Sequence, residues 1–147
     1  MRRDTIGRPM EILMVEDSLM FARVTMGALR KGGVKHRLTW LTDGVDALDF
    51  LHRRSRFRRA PRPDLILLDL GLPKMDGREV LAEIKADENL KSIPVVVMTG
   101  SEADDDRRLS ESLDVESYVT KPVDFEKFVQ LVADLNDHWH EDMVLPC

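Results

Sequence analysis

Four short apolar runs recur along this chain of 147 residues, and they constrain its fold more than any other feature. Several are nearly continuous rather than alternating, which is typical of parallel strands that are covered on both faces. They span residues 12–15, 38–41, 65–68 and 93–98, and a weaker fifth run spans 117–120. Strands that alternate with helices predict an α/β fold. The expected form is a flavodoxin-like, doubly wound parallel sheet of five strands in the order 2-1-3-4-5.

Segments with helical periodicity separate these runs, so that we predict five helices. The second segment places Val45, Leu48 and Leu51 on one face. The last segment has the longest apolar stripe, which runs from Phe125 to Trp139. Residues 52–63 exceed the usual length of a helix-to-strand connection and are expected to be an insert.

Charge and apolar content exclude several classes of function. The chain has 22 basic and 27 acidic residues, for a net charge of −5, which argues against bulk binding of nucleic acid. Residues 52–59 hold five arginines and no acid, an arginine-rich run expected to be a solvated loop or a docking surface. No apolar run is long enough to cross a membrane. The only cysteine, Cys147, fits a cytoplasmic location.

Charged and polar residues follow the predicted strands at the points where they end. Glu16 and Asp17 follow the first strand, Asp69 the third, Thr99 ends the fourth, and Lys121 follows the fifth. In a doubly wound sheet these strands are neighbours and their carboxyl ends share one edge. Three carboxylates in one crevice suit Mg²⁺, and a carboxylate beside a divalent ion can accept a phosphoryl group. A lysine and a hydroxyl would stabilise the phosphoryl oxygens.

The motifs at these strand ends resemble the receiver domain of two-component response regulators. The matching pieces are Glu16-Asp17, the segment from Asp69 to Gly77 with its Pro73 and Asp76, Thr99-Gly100, and Lys121-Pro122. Each piece alone is weak, whereas four in order at the correct strand ends are specific. The resemblance covers residues 10–136, so that 1–9 is expected to be an extension and 137–147 a tail.

The resemblance implies a role for each matching acidic residue. Asp69 would accept the phosphoryl group from a phosphohistidine of a sensor histidine kinase. Asp17, Asp69 and the backbone carbonyl of Gly71 would bind Mg²⁺ or Mn²⁺, with Glu16 holding the ion through water. Two positions depart from the usual pattern, since Gly71 stands where a polar side chain is frequent and Glu16 replaces an aspartate.

The resemblance also implies roles at the fourth and fifth strands. Lys121 and Thr99 would contact the phosphoryl oxygens, and the Lys121–Pro122 peptide would be cis. Thr99 and Tyr118 would form a conformational switch, although packing in the core is a rival role for Tyr118.

A narrower resemblance concerns the segments 43–51, 60–64 and 76–81, which are similar to single-domain response regulators of phytochrome histidine kinases. It implies a phytochrome-type kinase and a downstream protein as partners. It also favours a homodimer, formed through the face of the fourth helix and fifth strand and through the tail that contains Trp139. No nucleic-acid or membrane partner is expected.

Three other functions compete with this interpretation. A phosphatase with an aspartate nucleophile would need an acid two residues after Asp69, where Gly71 stands. A phosphorelay intermediate would pass its phosphoryl group to a phosphotransfer protein. A nucleotide- or flavin-binding module would need a glycine-rich phosphate loop, which the chain lacks. Among simpler roles, Asp17 is a candidate helix cap and Asp76-Gly77 a candidate turn.

Overall fold

The five predicted strands form one parallel sheet. The computed structural model describes residues 9–33, 35–99, 104–120, 128–131 and 133–134. The strands are β1 (Met10–Val15), β2 (His36–Leu41), β3 (Leu65–Leu68), β4 (Val95–Thr99) and β5 (Ser117–Thr120). Their order is β2-β1-β3-β4-β5 and every pairing is parallel, which confirms the predicted fold.

Four helices connect the strands within the described residues. They are α1 (Leu19–Lys31), α2 (Gly44–Leu51), α3 (Gly77–Ala86) and α4 (Asp104–Ser112). Residues 128–131 are also helical, in the segment predicted to form the last helix. None of the helices in these ranges combines the length and the apolar character needed to span a bilayer.

Side-chain caps begin α1, α2 and α3 at the carboxyl edge of the sheet. The capping residues, each of which accepts a hydrogen bond from a backbone N–H of the first turn, are Ser18, Asp43 and Asp76. The cap of α1 is therefore Ser18 and not Asp17, whose carboxylate remains available for another role. Asp76 serves the local structural role that its Asp-Gly sequence predicts.

Alternate residues of each strand enter two separate cores. Leu13 and Ile66 lie in one core, which also contains the buried faces of α2 and α3. Met14 and Leu67 lie in the other, together with residues of α1 and Phe128. Burial of each large aliphatic side chain contributes about 1.5–3 kcal/mol. The sheet is therefore covered on both faces, as the nearly continuous apolar runs predict.

Helix α2 differs in one respect from the predicted pattern. Leu48 and Leu51 are buried as expected, but Val45 is 44% exposed. The buried face is instead completed by Gly44, where an added Cβ would lie 2.3 Å from the carbonyl oxygen of Met75. This close approach turns α2 so that Val45 faces solvent.

The predicted insert is ordered by contacts with α2. It contains a short 3₁₀ turn, Ser55–Phe57, whose Phe57 ring lies 5.6 Å from the ring of Phe50 in an edge-on arrangement. The guanidinium of Arg56 stacks 4.6 Å from the Phe57 ring and pairs with Asp46 at 2.9 Å. Side chains of α2 thus hold the insert in place.

Candidate functional site

Three carboxylates meet at the carboxyl edge of the sheet, where β1 and β3 lie side by side. One carboxylate oxygen from each of Glu16, Asp17 and Asp69 lies within 4.8 Å of the other two. Glu16 is 3% exposed and Asp69 is 6% exposed, whereas Asp17 is exposed to solvent. The cluster therefore has two buried members and one that opens to solution, which leaves an approach for an ion or a substrate.

The backbone of the loop after β1 is held on three sides. The N–H of Glu16 donates to the carbonyl of Leu41, at 2.9 Å. The indole N–H of Trp40 donates to the carbonyl of Glu16, at 2.7 Å. The Glu16 carboxylate in turn accepts the N–H of Ser18, at 3.0 Å. Strand β2 and the start of α1 thus fix the loop that presents Glu16 and Asp17.

Asp69 is positioned by the strand that it follows and by the next loop. Its N–H donates to the carbonyl of Val15, which continues the pairing of β3 with β1 for one residue, at 3.0 Å. The N–H of Gly71 donates to Oδ1 of Asp69, at 3.1 Å. Each of these hydrogen bonds restricts where the carboxylate can lie.

A glycine allows α3 to begin against the backbone of Asp69. The N–H of Gly77 donates to the carbonyl of Leu70 at 2.9 Å. A Cβ at position 77 would lie 2.2 Å from the carbonyl oxygen of Asp69 and 2.5 Å from Cα of Leu70. No side chain fits there. The glycine of the Asp76-Gly77 pair is therefore needed by the site itself, beyond the turn role that its sequence predicts.

An outer ion pair links two loops beside the site. Asp43 is only 5% exposed, and its Oδ1 accepts the N–H of Asp46 at the start of α2. Its Oδ2 lies 3.6 Å from Nζ of Lys74, a residue with the left-handed φ of +64°. The sequence alone does not indicate that Asp43 and Trp40 support the site, because no local signal marks a contact between distant segments.

The remaining predicted site residues lie on or beyond β4 and β5. Thr99 ends β4, which neighbours β3. Tyr118 in β5 is partly buried and packs against the core that contains α2 and α3. Lys121, Pro122, Gly100 and the tail with Trp139 lie outside the described residues. The contacts of Lys121 and Thr99 with a phosphoryl group and the switch between Thr99 and Tyr118 stay predictions.

The donor set fits a hard divalent cation. Carboxylate oxygens are ligands that Mg²⁺ and Mn²⁺ prefer, and Mg²⁺ usually takes only one or two protein carboxylates while it keeps several waters. Three carboxylates that approach within 4.8 Å repel one another unless a cation offsets their charge. The exposed position of Asp17 leaves room for the retained waters.

A doubly wound parallel sheet with this acidic cluster between β1 and β3 defines a receiver domain. The family model described as "Response regulator receiver domain" matches residues 12–133. The chain belongs to this family of response regulators, which are not a classical enzyme family.

Individual relatives are similar over nearly the whole chain. The response regulator Rcp1 of Synechocystis sp. (strain ATCC 27184 / PCC 6803 / Kazusa) is 43% identical over 97% of this chain and 97% of that protein. The crystal structure of its Mn²⁺-bound form has a TM-score of 0.80 at 44% identity, over 95% of this chain and 100% of that one. The structure of the phosphorylated cyanobacterial phytochrome response regulator RcpA has a TM-score of 0.79 at 42% identity, over 95% and 99% of the two chains.

Proposed function

We propose that this protein is the phosphoacceptor of a phytochrome-type sensor histidine kinase and that Asp69 carries the phosphoryl group. The observation that carries the proposal is the meeting of Glu16, Asp17 and Asp69 within 4.8 Å. The similarity to RcpA, a phytochrome response regulator in phosphorylated form, supports the choice of kinase. Phosphorylation would then change an interaction surface for a downstream protein.

The proposed metal site uses the carboxylates of Glu16, Asp17 and Asp69 and the backbone carbonyl of Gly71. Mg²⁺ or Mn²⁺ held there would offset the negative charge that the phosphoryl oxygens bring toward three carboxylates. The Mn²⁺-bound form of Rcp1 supports this assignment. Glu16 is buried and accepts the N–H of Ser18, which suits a role through water better than direct ligation.

In the proposed transfer, Asp69 is the one group of the protein that forms a covalent bond. A carboxylate oxygen of Asp69 attacks phosphorus, the P–O bond forms, and the P–N bond to the kinase histidine breaks with its electron pair left on the imidazole. The N–H of Gly71 holds Oδ1 of Asp69 during the attack. Lys121 and Thr99 would offset charge on the phosphoryl oxygens. Beyond its own phosphotransfer and dephosphorylation, we propose no enzymatic turnover.

The first experiment is labelling with acetyl phosphate in the presence of Mg²⁺. We expect labelled wild type, no label on Asp69→Asn, and normal labelling of Asp49→Asn, a matched control that removes a carboxylate from α2. Removal of the metal with EDTA should abolish labelling of the wild type and of Asp49→Asn. Equal labelling of wild type and Asp69→Asn would refute the assignment of the acceptor.

The second experiment tests the kinase. An autophosphorylated phytochrome histidine kinase should transfer its phosphoryl group to this protein much faster than an unrelated histidine kinase does under the same conditions. Equal rates from both kinases would refute the phytochrome assignment while leaving the acceptor role intact.

We propose three further properties. Residues 10–136 form the receiver domain, with 1–9 as an extension and 137–147 as a tail, in line with the family match over 12–133. Two copies associate through the surface formed by α4 and β5 together with the tail. The protein is located in the cytoplasm, where it would meet the kinase domain that phosphorylates it. Sedimentation at high concentration that gives only the monomer would refute the dimer.

A further inference from the structure

A cavity of about 360 Å³ opens at the edge of the sheet opposite to the acidic cluster. It lies between the insert that follows α2 and the loop that follows α3. These segments lead into β3 and β4, so that the cavity is at the amino-terminal edge. The proposed phosphorylation chemistry uses only the carboxyl edge and leaves this cavity without a role.

Two guanidinium groups in the cavity wall are held by neutral oxygens. Arg53 has the left-handed φ of +55°, and its Nε donates to the carbonyl of Ala60 at 2.9 Å. Arg62 donates to the carbonyl of Asn89 and, at 3.3 Å, to Oγ of Ser92. Neutral oxygens orient a guanidinium but leave its positive charge in place. Within the described residues, neither group has a carboxylate partner.

Neighbouring arginines of the same insert are neutralised by α2. Arg54 lies 3.2 Å from Oδ1 of Asp49, and Arg56 lies 2.9 Å from Oδ2 of Asp46. Four arginines of the insert therefore form two groups. One group pairs with α2 and anchors the insert, whereas Arg53 and Arg62 are exposed to solvent and held by neutral oxygens, so that an anion entering the cavity can approach them.

The carboxylate in the cavity wall is already engaged. Oδ1 of Asp87 accepts the N–H of Asn89 at 2.7 Å, and Oδ2 lies 3.8 Å from Nδ1 of His52. Asp87 thus caps its own loop and does not pair with either guanidinium. The rest of the wall includes the apolar side chains of Leu51, Pro63 and Leu90.

We propose that this cavity binds a small organic anion, whose carboxylate or phosphate group is held by Arg53 and Arg62 and whose apolar body packs on Leu51, Pro63 and Leu90. Guanidinium groups bind both kinds of anion through paired N–H donors. The volume lies within the range of about 300–1,000 Å³ that is typical of small-molecule sites. A concave wall of this size suits a small molecule better than the flat acidic face of a protein.

Amide chemical-shift titration by NMR tests the proposal at residue level. The probes are benzoate and phenyl phosphate, with benzyl alcohol as the uncharged analogue, all added without Mg²⁺. We expect saturable shifts at His52, Arg53, Asn89 and Leu90 with one or both anions at up to about 10 mM. The stronger probe distinguishes a carboxylate site from a phosphate site. Benzyl alcohol should bind at least about tenfold more weakly, since it lacks the charge.

Paired variants distinguish binding by the particular arginines of the cavity from general attraction of an anion to a positively charged surface. Arg53→Gln should weaken binding of the anion by about tenfold or more, because a charge-assisted hydrogen bond is lost. Arg54→Gln removes the same charge from the adjacent residue, which pairs with Asp49, and should leave binding unchanged. Arg62→Lys keeps the charge but loses the planar fork, and it should weaken binding while the protein remains folded.

Several outcomes would overturn the proposal. These are no saturable shift with either anion, equal binding of benzyl alcohol, equal weakening by Arg53→Gln and Arg54→Gln, or shifts confined to Gly71 and its neighbours. Binding of an acidic peptide in the absence of small-anion binding would also overturn it. Labelling of Asp69 by acetyl phosphate is measured separately, so that failure of this site and failure of the proposed phosphoacceptor role remain distinguishable.

Discussion

Replacing Gly77 with alanine tests whether the start of α3 is packed against the backbone of Asp69. The added Cβ would lie 2.2 Å from the Asp69 carbonyl oxygen and within 3 Å of two further backbone atoms, Cα of Leu70 at 2.5 Å and its carbonyl carbon at 2.9 Å. All three contacts are with backbone, so that no flexible side chain can move aside. Either the end of β3 or the start of α3 has to shift.

The expected change in the free energy of unfolding is the sum of two opposing effects. Alanine gains about 0.5–1 kcal/mol over glycine, because glycine loses more backbone entropy when it folds. Overpacking of a rigid site costs about 1–3 kcal/mol, and contacts with backbone place this one near the upper end. We therefore expect Gly77→Ala to lower the free energy of unfolding by about 2 kcal/mol. A displaced Asp69 should also be labelled more slowly by acetyl phosphate.

Gly27 in α1 provides a matched control. An added Cβ at this position meets nothing within 4 Å, so that Gly27→Ala should raise the free energy of unfolding by about 0.5–1 kcal/mol. Urea denaturation of both variants measures the difference, and labelling is compared under conditions in which both are folded. If Gly77→Ala were as stable as Gly27→Ala, the packing argument would be refuted.

Three further predictions concern the surroundings of the acidic cluster. Trp40→Phe removes the 2.7 Å hydrogen bond to the Glu16 carbonyl, worth about 0.5–1.5 kcal/mol, and should raise the Kd for Mg²⁺ by about two- to tenfold in titration calorimetry; an unchanged Kd would show that the loop does not need this bond. Gly71→Asn places a side chain whose Cβ lies 4.0 Å from Oδ1 of Asp69. It should lengthen the lifetime of the phosphorylated protein by screening water, and an equal decay rate of the label would contradict this. Asp43→Ala should be about 1 kcal/mol less stable in urea than Asp43→Asn, which retains a capping oxygen; equal stability of the two would argue against the cap.

The fold and the centre of the site could be predicted because both depend on periodic or local signals. Continuous apolar runs such as residues 65–68 predict strands that are buried on both faces, and the residue that follows each strand lies at a known edge. In a sheet of order 2-1-3-4-5, β1 and β3 are neighbours. Asp17 and Asp69 are therefore brought together by topology alone, before any side-chain packing is considered.

The supporting contacts could not be predicted because they join segments that are distant in sequence. The indole of Trp40 reaches the carbonyl of Glu16 across 24 positions, and Lys74 reaches Asp43 from the loop after β3. Such contacts depend on side-chain direction and loop shape, which the spacing of apolar residues in the sequence does not predict. The same limit explains Val45, whose exposure follows from the packing of Gly44 against Met75 and not from the spacing of apolar residues in α2.

The acidic cluster and the arginine-rich insert are separated in the folded protein as well as in the sequence. The acidic cluster of Glu16, Asp17 and Asp69 lies at the carboxyl edge of the sheet, whereas the arginine-rich insert follows α2 at the opposite edge. Helix α2 connects the two edges, since Asp43 caps its start beside the acidic cluster and Asp49, nearer its other end, pairs with Arg54 of the insert. A displacement of α2 at either edge would therefore alter contacts at the other. An anion in the arginine-lined cavity would act on the end of the same helix, so that α2 is the element through which the two edges are physically connected.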